Sequence, residues 1–222
     1  MKKLEIIDIS VLVREDPDNY VKEVPIIPIG GDIFNGFRIN LNVHYGTHMD
    51  APCHRNPYTK TIEQYPLERF ILPAVVIESM DPVSVKLADV QGTDIKPGCA
   101  VLLKTENSRS GRSGILPWQG SHVFIEPDAL EYIISQGASL VGFDSPHGEE
   151  DAEDMSQQKS PVHTMMFEND RIVLESVDLR DVEPGEYTLA ALPVKFAGVS
   201  AGPVRAVLLR ESCGREVLLR ES

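Results

Sequence analysis

The densest chemistry in this sequence lies in His44-Tyr45-Gly46-Thr47-His48-Met49-Asp50-Ala51-Pro52-Cys53-His54, where three of the six histidines and an aspartate fall within eleven positions. Imidazole nitrogens and carboxylate oxygens are the ligands that suit zinc and similar divalent cations. Fully extended, the segment would hold His44 and His54 roughly 33 Å apart, so a shared site requires the chain to bend. Gly46 and Pro52 are the turn-capable residues that permit it, and the Tyr45 and Thr47 hydroxyls can hold ligands in orientation. A single histidine is most often a hydrogen-bonded structural residue; this density points to a metal. Two further residues stand far downstream. His163 sits in Ser160-Pro161-Val162-His163-Thr164, in the first turn of a short helix, and Glu175 closes the apolar strand Ile172-Val173-Leu174-Glu175. From the residue pattern alone these two read more simply as a helix-surface histidine and a solvated strand end. Cys53 reads as a packing residue, His122 has no evident partner, and the acidic run Glu149–Asp154 reads as a solvated loop.

The elements that must position these residues are mostly strands. Short apolar runs bounded by Gly, Pro or Asp recur at Ala74–Glu78, Ala100–Lys104, Leu140–Asp144, Ile172–Glu175, Thr188–Ala191 and Val204–Leu209. Phe37, Ile39, Leu41 and Val43 alternate with polar residues, which predicts a half-buried strand ending at His44. Helices are fewer. Pro127 and Gly137 frame one with Ala129, Leu130, Ile133 and Ile134 on a single face, and shorter ones are expected over Pro66–Phe70 and Pro161–Phe167. Asn107–Gly120 reads as a long loop. Arg205–Ser212 recurs, nearly unchanged, as Arg215–Ser222, with Cys213-Gly214 between the copies as a candidate hairpin turn. The class is α/β with much sheet. With no low-complexity linker, residues 1–209 are expected to form a single domain, followed by a 210–222 extension.

Composition removes several functions. The chain has 222 residues with a formal net charge of −13, which disfavours binding to phosphate backbones and to anionic membrane surfaces. The longest apolar run, Phe70–Ile77, contains Pro73 and is far shorter than the roughly 18 residues a membrane span needs. Glu5 and Asp8 interrupt any apolar leader core. Three cysteines form no paired framework. The expectation is a cytoplasmic protein acting on a small molecule.

The run His44-x-Gly46-Thr47-His48-x-Asp50-x-Pro52-x-His54 resembles the signature of the cyclase family of metal-dependent hydrolases, which includes bacterial-type kynurenine formamidases and isatin hydrolases. Asp8-Ile9-Ser10, Gly142-Phe143-Asp144-Ser145-Pro146, the twelve-residue separation of His163 and Glu175, Ala191-Leu192-Pro193-Val194 and Gly202-Pro203-Val204-Arg205-Ala206 are similar to further family segments, so the resemblance reaches to about Leu209. It implies a swivelling β/β/α domain with a mixed sheet, assembled as a homodimer or homotetramer. It implies that His44 and His48 bind one zinc or manganese ion, that His163 binds a second, and that Asp50 and Glu175 bridge them. His54 is then the general acid and base.

Those residue types fit hydrolysis of an amide-like C–N bond, linear or cyclic, by a water made acidic at a metal. A kynurenine formamidase proper is the alternative within the class; a non-catalytic metal-binding protein that keeps the fold is the alternative outside it. The chain departs from the formamidases in lacking a Trp after the N-terminal motif: Asp16–Pro25 holds Tyr20, and the single Trp is Trp118 in the long loop. Tyr20, Trp118 and His147 are the candidate substrate contacts.

Overall fold

A computed structural model describes residues 3–14, 26–31, 34–116, 118, 120–151 and 159–212. Tyr20 and the candidate hairpin at Cys213–Gly214 lie outside the described residues. The strands are β1 (Lys3–Asp8), β2 (Ile26–Gly31), β3 (Phe34–Ile39), β4 (His48–Asp50), β5 (Ile71–Glu78), β6 (Ser84–Val85), β7 (Ala100–Lys104), β8 (Phe124–Ile125), β9 (Leu140–Phe143), β10 (Ile172–Glu175), β11 (Gly185–Pro193) and β12 (Ala201–Ser212). The α-helices are α1 (Leu87–Val90), α2 (Glu106–Arg109), α3 (Pro127–Ser135) and α4 (Pro161–Glu168). None is long and apolar enough to cross a membrane.

The main sheet runs β1-β12-β11-β5-β7-β9-β10-β4, and β4 also pairs with β12. Seven strands therefore close into a ring, with β1 attached outside it along β12. The long β12 makes this possible. Its start, Ala201–Pro203, pairs with β4, while Val207–Ser212 on the same edge pairs with β1. β5, β7, β9 and β10 are mutually parallel, and the remaining pairings are antiparallel.

The apolar runs of β5, β7, β9 and β10 read as strands because both faces of the sheet are buried there, whereas β11 alternates buried with exposed residues. Leu72, Ala74, Val76, Ala100, Leu102, Leu140 and Leu174 point into one core with Met49, Leu189 and Leu208. The alternate residues Val75, Ile77, Val101, Leu103, Val141, Phe143 and Val173 meet Leu130 and Ile133 of α3 and Val162 and Met166 of α4. Period-two alternation thus splits one sheet between an interior core and a helix-covered core.

Two expectations need correction. The half-buried strand over 37–43 stops at Ile39, and Phe37 and Ile39 are 59% and 58% exposed. These residues belong to a separate two-stranded ribbon, β2–β3, rather than to the main sheet, so alternation there does not mark burial. The stretch read as a loop over 107–120 begins instead within α2 and then makes a 3-10 turn at Arg112–Gly114. The Thr105 hydroxyl caps α2 by accepting from the Asn107 N–H at 3.1 Å. The buried Asp144 carboxylate accepts from the backbone N–H groups of Thr105 and Ser108 at 2.7 and 3.1 Å. Glycine and serine content hid that carboxylate anchor.

Candidate metal centre

β4 is the strand that matters. It lies between β10 and β12, and its register sets His48 opposite Glu175 and Asp50 opposite Val173. The two-residue period sends Met49 into the interior core and leaves His48, Asp50 and Glu175 on the other face, beneath α4. A turn at 43–47 then brings His44 back over Asp50. Gly46 makes that turn with φ +73°, and a Cβ there would lie 2.8 Å from Val13 Cγ2. The Gly46 carbonyl accepts from His48 Nδ1 at 2.8 Å, leaving Nε2 to face the carboxylates. Thr47 fastens the turn: its hydroxyl donates to the Ser176 carbonyl at 2.6 Å and accepts from the Val11 N–H at 2.8 Å.

The side chains converge. His48 Nε2 lies 3.3 Å from Asp50 Oδ1 and 3.2 Å from Glu175 Oε2. His163 Nε2 lies 3.5 Å from Asp50 Oδ2 and 3.3 Å from Glu175 Oε1. Each carboxylate therefore turns one oxygen toward His48 and the other toward His163. His44 Nδ1 stands 2.9 Å from Asp50 Oδ1 on the first side, and His54 Nε2 stands 3.8 Å from Asp50 Oδ2 on the second. A 3-10 turn over Pro52–His54 carries His54 to that position.

His163 is held from behind by a residue the sequence does not single out. Glu149, 3% exposed, accepts from His163 Nδ1 at 2.8 Å and from the N–H groups of Val162 and His163, both at 3.0 Å. Those amides open α4 and have no intrahelical acceptor, so a carboxylate is their natural partner. The acidic run is thus not uniformly solvated: its first member is buried against the centre. Ser200 is the other residue missed, with its hydroxyl 3.0 Å from His44 Nε2.

Charge and burial make the centre a cation seat. His48 Nε2, both Asp50 oxygens, His163 Nε2 and Glu175 Oε1 are buried without a hydrogen-bond partner, a state native proteins rarely tolerate. Separations of 3.2–3.5 Å between His and carboxylate atoms match the roughly 3.3 Å edge of a tetrahedron with bonds of about 2.0 Å to zinc. The donor set fits a divalent metal. Against the pull of burial, the carboxylates hold His48 up to about 10 and His163 up to about 12. Despite burial, the histidines hold Asp50 well below its ordinary value. His54 differs: partial burial, helped by His44 and His163, lowers its pKa.

The centre floors an open cavity of about 260 Å³, whose walls include Arg55, Pro146, His147 and Ser160. His147 therefore faces the cavity. Trp118 is not in its lining; the indole N–H donates to the Gly120 carbonyl at 2.9 Å, and the ring stands edge-on to His122 at 6.1 Å. Cys53 packs on the core, and burial pushes its thiol up, away from a reactive thiolate.

Residues 7–150 match a family described as "Putative cyclase". A kynurenine formamidase of Salinibacter ruber is 34% identical over 174 residues, 77% of each chain. The fold resembles that of a "potential metal-dependent hydrolase with cyclase activity", with TM-score 0.78 and 27% identity over 94% of this chain and all of that one. An isatin hydrolase bound to the product analogue thioisatinate has the same fold, with TM-score 0.76 at 22% identity, over 94% of this chain and 93% of that one.

Proposed function

The chain belongs to the cyclase family of metal-dependent hydrolases, and from that premise we propose that it opens an amide-like C–N bond, in a linear N-formyl group or a cyclic amide. The observation that supports this most is the set of five buried polar atoms of His48, Asp50, His163 and Glu175 that lack partners and face one another. His44 and His48 would hold one ion and His163 a second, with Asp50 and Glu175 shared between them; zinc and manganese both suit this donor set. A divalent ion there supplies Lewis acidity, bringing a water's pKa toward neutrality and polarising a carbonyl. His54 takes the water's proton on Nε2 and returns it to the leaving nitrogen. Its lowered pKa keeps it neutral, and so basic, at pH 7. Asp50, 3.8 Å away, stabilises the imidazolium that forms. Arg55 and His147 face the substrate from the cavity wall.

A second reading, favoured by the Salinibacter ruber relative, narrows the substrate to N-formylkynurenine. The protein is proposed to work in a reducing cytoplasm, given its cysteines, as a homo-oligomer. The test supplies Zn²⁺ or Mn²⁺ to metal-free protein and screens N-formyl aromatic amines, isatin, cyclic imides and lactones. Metal-dependent turnover of a formamide or cyclic amide is expected. Turnover confined to lactones, or equal without metal, overturns the reading.

A further inference from the structure

A second cluster of metal-ligating side chains stands beside the centre. His122 Nδ1 lies 3.0 Å from Asp151 Oδ2, and His147 Nε2 lies 3.4 Å from Asp151 Oδ1. The two imidazoles meet edge to face, 4.5 Å between centroids. The loop that carries them is fixed at several points. The Ser145 hydroxyl donates to the His147 carbonyl at 2.7 Å, and the Ile125 N–H donates to the Gly148 carbonyl at 3.0 Å.

His122 Nε2 lies 2.8 Å from the Glu149 carbonyl, an acceptor, so it carries the proton of the neutral ring. Nδ1 is then a bare lone pair aimed at a carboxylate oxygen 3.0 Å away. Two lone pairs do not face each other at that distance unless a proton or a cation lies between them. A proton fills one such gap, whereas a single cation fills the gaps to both imidazoles at once, because the ligand atoms of His122, His147 and Asp151 all lie within 4.8 Å of one another. Separations of 3.0 and 3.4 Å bracket the roughly 3.3 Å tetrahedral edge around zinc. The ring is also oriented as His48 and His163 are, with one nitrogen donating to an oxygen and the other turned to a carboxylate. His147 Nδ1 is buried without a partner, while Nε2 of the same ring is the atom turned to Asp151.

We propose that His122, His147 and Asp151 form a separate cation site that takes Zn²⁺, with water completing the coordination. Its place in the fold gives it a consequence. Glu149 joins the two sites: its carbonyl accepts from His122, and its carboxylate holds His163. An ion on the outer site clamps the 144–151 loop and so keeps Glu149 against α4.

Asp151 is 41% exposed at its side chain, so Asp151→Asn does not put folding at stake. Wild type, Asp151→Asn and His147→Gln are dialysed against Zn²⁺, and bound zinc per chain is measured by mass spectrometry. Each variant is expected to carry one ion fewer than wild type. In a background carrying both His48→Ala and His163→Ala, which removes a ligand from each ion of the main centre, one ion is expected to remain and to disappear on adding Asp151→Asn. An unchanged count in Asp151→Asn overturns the proposal. So does loss of the whole metal complement, which would make the cluster a support of the main centre instead of a site.

Discussion

Four imidazoles meet through Asp50 and Glu175, yet they do not do the same work. His48 is buried between both carboxylates, whereas His54 is 35% exposed at its side chain and 3.8 Å from the nearer oxygen. His48→Ala should therefore empty or weaken the metal centre. His54→Ala should keep its metal and lose about a hundredfold or more in turnover, the usual scale of general acid–base catalysis. Metal analysis beside a rate assay reads the contrast; equal metal loss in the two variants would make His54 a ligand. Proton uptake gives a second check. In metal-free protein His48 is held up to about 10 and His163 up to about 12. These folded values exceed the ordinary imidazole value, so the ion pairs stabilise the metal-free fold fully below about pH 6.5. That stabilisation fades only as pH rises through the folded values. At pH 7 both rings are protonated, but as metal ligands they must be neutral. Metal loading at pH 7 should release about two protons per chain, measurable by calorimetry in buffers of different ionisation enthalpy. Release near zero would mean that the ion does not displace the protons of these two rings.

At the scale of elements, the strands were legible because their apolar runs are continuous and turn-bounded, and the His44–His54 segment was legible because ligand types cluster in it. His163 and Glu175 were not legible from pattern alone. Their partners lie more than a hundred residues away, and only the β4–β10 register and the placement of α4 bring them in. Glu149 was hidden for a related reason: an acidic run reads as solvated until a helix start is packed on its first residue. Two variants test these supports. Glu149→Gln keeps the size of the side chain and removes its charge, and should weaken metal binding by about 10–100-fold, as expected for a residue that orients a ligand. A titration with a competing chelator reads it, and unchanged affinity would reduce Glu149 to a helix cap. Gly46→Ala sets a Cβ 2.8 Å from Val13 at a positive φ and should cost about 1–3 kcal/mol in thermal or denaturant unfolding. Because the Gly46 carbonyl also holds His48 Nδ1, metal affinity should fall with stability. Loss of stability alone would separate the turn from the centre.

At the scale of the molecule, closure of the seven-stranded ring leaves β1 outside it, paired along one edge with β12. Leu4 and Ile6 on that strand are 55% and 62% exposed, and Phe37 and Ile39 on the β2–β3 ribbon are similarly bare. Where such exposed side chains join into one patch they mark an association surface more often than a solvated one, and a second copy of the chain is the commonest partner. Charge opposes that pairing. Each chain carries a formal −13, so two copies repel until salt screens them, over a Debye length of about 10 Å at 0.1 M. An apolar contact under electrostatic opposition has a distinctive signature: the dimer should tighten as salt is added. Light scattering at micromolar concentration should give twice the 24.6 kDa chain mass, with the dimer fraction rising between low and moderate salt. Ile6→Glu should shift the population to 24.6 kDa without unfolding, because the position is exposed and the substitution adds another like charge to the contact. A wild-type monomer at every salt concentration would refute the assembly. Dimerisation that weakens with salt would mean that ion pairs, rather than β1 and the ribbon, hold the copies together.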